Sequence, residues 1–294
     1  MIRFPDKCYL EVAGQSFDAW LDMSVTSSIE HCASDFSMTI TRTSPLTASP
    51  IKIPKGASCK VYIGDDLILT GYIDRVAPSH DATRKTVTVS GRAKTADAVD
   101  CSVWQSRVKP ATWKNSTIVD IARQTLAPYG IKVQCEVFDL LPIKRVTAEV
   151  GDTVFSLLER LARDQRLLLT DTPEGDLLLT RVGTFFGWSF SNPGNIKSGS
   201  AFADISERFS RYIVRSQCAG DDQDWGELVS GIEAEVQDDS DIDRFRLLVV
   251  NAEKSMNTAD AERRAKWEAL TRAGRSTGCT LTVCGWRGAD GAVF

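Results

Sequence analysis

Two histidines, His31 and His80, are the only imidazoles in the chain of 294 residues. General acid–base chemistry near neutral pH would have to run through one of them or through a carboxylate of raised pKa. His31 is followed by Cys32, which together are the residue types of a thiol protease. Neighbours along a chain seldom face each other as nucleophile and base must, and no local signature of a catalytic cysteine surrounds them. The pair reads as a strand-edge histidine beside a buried thiol. Ser49-Pro50-Ile51-Lys52 and Ser106-Arg107-Val108-Lys109 have the Ser-x-x-Lys spacing that a penicillin-binding type of hydrolase places on one helix turn. Pro50 and Pro110 oppose a helix at both places, and the Ser-Asp-Asn and Lys-Thr-Gly partners of that motif are missing.

Asp239-Ser240-Asp241-Ile242-Asp243 begins like a calcium loop, but Arg244 stands where a glycine is needed and Val250 where a bidentate glutamate is needed. A solvated acidic loop is the better reading. No Gly-x-x-x-x-Gly-Lys loop and no Gly-x-Gly-x-x-Gly after a strand occurs, which removes the ordinary nucleotide-binding classes. A glycosidase needs only two carboxylates, and 39 Asp and Glu residues leave that class open. No residue is therefore assigned a catalytic, cofactor-binding or metal-binding role, and no cofactor is expected.

The elements that would position any such residue follow from hydrophobic period. Up to about residue 100, apolar residues alternate with polar ones between turn residues, as in a small barrel or sandwich. Phe36, Met38 and Ile40 share one strand face. Lys60 to Ile63 and Leu67 to Ile73, linked by Gly64-Asp65-Asp66, fit a hairpin, and Lys85 to Gly91 is a further strand. The proline-rich stretch from Pro45 to Pro54 is a loop. After Cys101 the period lengthens: Ile118, Ile121, Ala122 and Leu126 form one helix face, with Ser116 as cap and Pro128 and Gly130 as stop signals. A second helix runs from Asp152, its expected cap, to Asp164. Its stripe of Val154, Leu157, Leu158 and Leu161 lies opposite Glu159, Arg160 and Arg163. Arg166 to Thr170 and Asp176 to Arg181, joined through Pro173-Glu174-Gly175, make a hairpin beneath it.

Ser189 to Ser200, rich in Gly, Ser and Asn, is expected to be a loop or linker. Strands return at Phe209 to Ser216 and Arg244 to Asn251, with an exposed acidic loop expected from Gly220 to Asp243. A third helix spans Thr258 to Ala273, with Trp267, Leu270 and Ala273 on one side, Arg263, Arg264 and Lys266 solvated, and Gly274 as C-cap. The expected fold is α+β and mostly β: a β-barrel over residues 1–100, an α+β middle over 101–188, and a second barrel with an inserted helix over 189–294. The chain halts at a strand and the beginning of a returning one, so the last domain is expected to be incomplete and the natural product to continue.

Hydrophobic residues make up 43% and charged residues 25%, a globular balance, and no apolar run is long enough to span a membrane. The net charge of −4 gives no sign of a nucleic-acid-binding surface. Eight cysteines, without a Cys-x-x-Cys pair, read as reduced and mostly buried thiols of a cytoplasmic protein.

Thr70-Gly71-Tyr72-Ile73-Asp74, followed by Val89-Ser90-Gly91-Arg92-Ala93-Lys94-Thr95-Ala96-Asp97-Ala98-Val99-Asp100-Cys101-Ser102, resembles a segment of the baseplate hub proteins of Mu-like phages and prophages. Ala93 and Ala98 depart from the aspartate and leucine of that family. Trp113 to Thr117, Ala127 to Ile131, Gly151 to Val154, Asp243 to Leu247 and Gly285-Trp286 keep the same order, so the resemblance runs nearly end to end. It implies a structural, non-enzymatic subunit of the virion tail baseplate, assembled in the host cytoplasm and related in architecture to VgrG spike proteins. It further implies a homotrimeric ring joining tail tube to central spike, with DNA passing through the bore without specific binding. Two alternatives remain: a tail-associated peptidoglycan hydrolase using carboxylates, and a carbohydrate- or receptor-binding module using exposed tryptophans.

Overall fold

Seven strands begin the chain: β1 (Cys8–Val12), β2 (Gln15–Phe17), β3 (Trp20–Thr26), β4 (Asp35–Thr41), β5 (Ser58–Ile63), β6 (Asp66–His80) and β7 (Lys85–Ala93). The structure is a computed structural model and describes residues 7–18, 20–41, 53–80, 85–104, 111–181, 183, 189–191, 193–216, 231–238, 242–252, 258–288 and 291–293. The chain divides into two compact units, residues 1–186 with 291–294, and residues 187–290. In the first, the seven strands form one antiparallel sheet in the order β2-β1-β5-β6-β7-β4-β3, which curls into a half barrel. Its period of two turns Leu10, Phe36, Met38, Ile40, Val61 and Val89 inward, each no more than 1% exposed. The β5–β6 hairpin turns at Gly64 with φ +64°, a left-handed conformation that glycine adopts without penalty.

The rest of the first unit holds α1 (Ala96–Asp100), β8 (Thr112–Ser116), α2 (Ile118–Leu126), β9 (Val133–Cys135), β10 (Ile143–Thr147), α3 (Val154–Gln165), β11 (Leu168–Asp171) and β12 (Leu177–Thr180). β8 pairs with β10, and β11-β12-β9 form a second small sheet with β9 parallel to β12. The stripe of α3 joins Leu167, Leu169, Leu177 and Leu179 in one buried cluster with the apolar face of α2. Both helix caps lie one residue beyond the expected positions. Thr117 caps α2, accepting from the Asp120 amide while the Asp120 carboxylate accepts from the Thr117 amide. Ser116 is instead the last residue of β8. Thr153 caps α3 through the Ser156 amide, and Asp152 takes the Glu149 amide and the Arg160 guanidinium. In each case the threonine is the residue with extended backbone directly before the first helical one, which is the requirement for a cap.

The second unit contains β13 (Ile196–Ala203), β14 (Arg211–Ser216), β15 (Ile232–Gln237), β16 (Leu247–Asn251), α4 (Thr258–Arg275) and β17 (Thr277–Val283). Three expectations are corrected. The Gly/Ser/Asn stretch does not stay a linker, because Ile196–Ala203 pairs with β17. The acidic segment contains a strand, β15, whose Glu233 and Glu235 answer Arg215 and Arg211 on β14. The helix is turned differently: Ala261, Ala265 and Ala269 face the sheet of β15-β14-β16, while Leu270 is 73% exposed. Small side chains let the helix lie close to the sheet. Arg264 is buried by its pair with Glu268 at 2.7 Å and lies over the Trp267 ring, so it is not solvated. Gly274 lies inside α4, which ends at Arg275. The fold is α+β and mostly β.

The stretch from Pro45 to Pro54 expected as a loop lies, up to residue 52, outside the described residues, as do both Ser-x-x-Lys segments and Asp239 to Asp241.

Candidate functional site

The strands that carry the Thr-Gly-Tyr and Ser-Gly-Arg residues, β6 and β7, run side by side with Gly71 opposite Ala93 and Ile73 opposite Gly91. Here the backbones come too close for side chains. A Cβ on Gly71 would lie 1.9 Å from the Arg92 carbonyl oxygen, and one on Gly91 would lie 2.1 Å from that of Tyr72. A glycine inside a strand is the sequence signal of such an approach.

From β7 the chain passes through α1 to the start of α3 as a strap. Arg92 donates to Asp74 at 2.8 Å and grips both oxygens of Asp100 at 3.2 and 2.6 Å. That guanidinium holds the Asp100 carboxyl below the ordinary range, while burial, then the Asp100 charge, pushes Asp97 up. The Lys94 amide donates to the Thr70 carbonyl at 3.1 Å. At the far end the Val103 amide donates to the Asp152 carbonyl at 2.9 Å, the Val154 amide to Cys101 at 3.0 Å, and the Tyr129 hydroxyl to Ser102 at 2.7 Å.

A second set of contacts ties the half barrel to the middle sheet. Ser34 donates its amide and hydroxyl to the Asp171 carboxylate at 3.1 and 2.9 Å. Lys94 Nζ donates to the Glu174 carbonyl, and Gly175 packs so tightly on the Thr70 carbonyl that a Cβ would lie 2.7 Å away. Cys32, on the loop between β3 and β4, belongs to the core cluster of the middle section. Nothing local marks Ser34 and Asp171, 137 positions apart, as partners.

The contacts of this junction are hydrogen bonds, ion pairs and close backbone packing. Asp74 and Asp100 are both ion-paired to one guanidinium, that of Arg92. His31 is exposed, whereas Cys32 is buried and its thiol is pushed up to about 12, chiefly by burial, so it is not a ready thiolate. Among the described residues no group of three or more His, Cys, Asp or Glu side chains is placed to hold a metal. Of the seven described cysteines, Cys8, Cys32 and Cys59 are buried, Cys101 and Cys135 are half-buried, and Cys279 and Cys284 are exposed.

Asp171 supplies a pH test. Burial raises its pKa above 3.8, outweighing the Ser34 hydrogen bonds. A raised folded value means a stability contribution fully present below the unfolded pKa and lost as pH rises through the folded one. Asp171→Asn keeps an acceptor for Ser34 and removes the charge. Its stability relative to the parent should be greater at neutral pH than in acid below the ordinary carboxylate range. Denaturant melts at the two pH values check this, and the reverse order would refute it.

Residues 7–93 match the family described as Mu phage baseplate assembly protein GpP-like, N-terminal, and residues 95–181 match Baseplate hub protein gp44-like, second domain. Over 293 residues the chain is 30% identical to the baseplate hub protein gp44 of Escherichia phage Mu, covering 97% of this chain and 76% of that protein. The chain belongs to the gp44-like baseplate hub family. The crystal structure of a 43 kDa tail protein from prophage MuSo2 of Shewanella oneidensis is similar at 32% identity and TM-score 0.81, over 98% of this chain and 85% of that one. A tail protein from Neisseria meningitidis MC58, 22% identical, shares the fold with TM-score 0.81 over 99% of this chain and 84% of that one. The boundary between the two matched domains falls at Lys94, in the strap of this hub protein.

Proposed function

We propose that three copies of this hub protein close into a ring between tail tube and central spike, and that DNA passes through its bore without specific binding. In each copy, residues 1–100 and 189–294 supply wall segments and residues 101–188 hold them. The protein acts by holding a shape and catalyses nothing. Assembly takes place in the host cytoplasm, and the ring then resides in the virion tail baseplate.

The observation that carries this reading is the fate of the family segment. From Gly71 to Val103, its glycines and ionisable side chains serve close strand packing and the strap, as in a part selected for rigidity. Charge agrees with a passive bore. A strongly basic channel would retain duplex DNA by counterion release, and a net charge of −4 is compatible with a mixed or mildly acidic lining. Titration of duplex DNA at low salt should show no tight binding. Tight, steeply salt-dependent binding would contradict the passive channel, and turbidity loss from cell-wall sacculi, abolished by one Asp or Glu substitution, would make the protein an enzyme.

A further inference from the structure

The two matched domains meet at Lys94, and a boundary between domains ordinarily permits motion of one against the other. Such motion needs a few residues whose φ and ψ are free to change. The strap offers none. Lys94 to Val103 contains no glycine, Ala96–Asp100 is helical, and Ala96, Ala98 and Val103 are buried, the last two in the core cluster of the middle section.

A second connection crosses the same boundary from a distant part of the sequence. The loop between β3 and β4, residues 27–34, leaves the half barrel and enters the middle section. Cys32 is buried in that section's core, and the Ser28 carbonyl accepts from the Thr170 hydroxyl at 3.4 Å. Ser34 serves both sides. Its carbonyl accepts from the Ala93 amide at 2.8 Å, at the end of the β4–β7 ladder, while its own amide and hydroxyl donate to the Asp171 carboxylate on β11. The turn between β11 and β12 closes on β6 through Gly175 against the Thr70 carbonyl, which also accepts from the Lys94 amide. One hairpin of the middle section thus holds strands β4, β6 and β7. Parting the sections here has to draw Cys32 out of a closed core and break both Ser34 bonds together, so local opening has no small first step.

We infer that the loop between β3 and β4 is an interlock, which couples the half barrel to the middle section so that the two open and close as one cooperative unit. A load on either is then carried by both. This coupling belongs to a single chain and stands whether or not three chains close into a ring.

Native-state hydrogen exchange of the intact chain, read by mass spectrometry, tests it. Leu158→Ala weakens the core of the middle section, and the slowest amides of α3 should exchange faster by about tenfold or more. The slowest amides of β7, in the half barrel, should speed up by the same factor. Acceleration in α3 with β7 unchanged would overturn the coupling. Ser34→Ala with Asp171→Ala removes the hydrogen bonds of the interlock from both sides, and in that background Leu158→Ala should accelerate α3 more than β7. An equal response of the two there would assign the coupling to the strap and overturn the role of the loop. Should Leu158→Ala fail to fold in either background, Ile121→Val, a smaller truncation in the same cluster, takes its place with the same comparison of α3 and β7.

Discussion

Leu158→Ala is expected to lower the unfolding free energy of the hub protein by about 2–5 kcal/mol. Leu158 is 1% exposed, in the middle of α3, and belongs to the cluster containing Leu157, Leu161, Leu169 and Leu179. Truncation removes the transfer free energy of the lost methyl groups and leaves a cavity. The capped helix ends and the paired strands below prevent the walls from collapsing to fill it. Glu159, the next residue on the same helix, is ion-paired to Arg163 at the surface. Glu159→Ala should therefore cost no more than about 1 kcal/mol. Urea melts of both variants separate packing from helix propensity, and equal midpoints for Leu158→Ala and the parent would show that the stripe faces solvent.

Gly71→Ala should be nearly as damaging, costing on the order of 3 kcal/mol, the upper end of the usual range for overpacking. The new Cβ would meet the Arg92 carbonyl oxygen at 1.9 Å, its carbon at 2.7 Å and the Ala93 Cα at 2.8 Å. All three are backbone atoms, so no rotamer change relieves the clash. β6 and β7 would have to separate where Arg92 reaches Asp74 and Asp100. The expected result is a lowered urea midpoint together with faster hydrogen exchange at the Ala93 and Lys94 amides, which bond to Ser34 and Thr70. An unchanged midpoint with unchanged exchange would contradict the close approach.

The half barrel and the middle section were legible because their burial is one-sided and periodic. Phe36, Met38 and Ile40 alternate, and Val154, Leu157, Leu158 and Leu161 recur at helical spacing, so each pattern had one physical reading. The second unit resisted for the opposite reason. β13 is exposed along nearly its whole length, so no alternation marks it, and its small residues look like those of a linker. In β15 the Glu residues that suggested a loop are paired across to arginines of β14, a partner that local composition does not reveal. For α4, size misled: Trp267 and Leu270 suggested the inner face, whereas close approach to the sheet selects alanine there. Of the junction, the glycines and the Arg-to-Asp strap carried a local signal. The Ser34–Asp171 bond is a product of the folded topology alone.

Sedimentation equilibrium of the intact chain tests the central claim most directly. The ring requires a particle of three chains of 32.3 kDa each, persisting on dilution as a large apolar interface should. A mass of three chains, independent of loading concentration, is the predicted result. A single-chain mass retained at the highest concentration reached would contradict the ring.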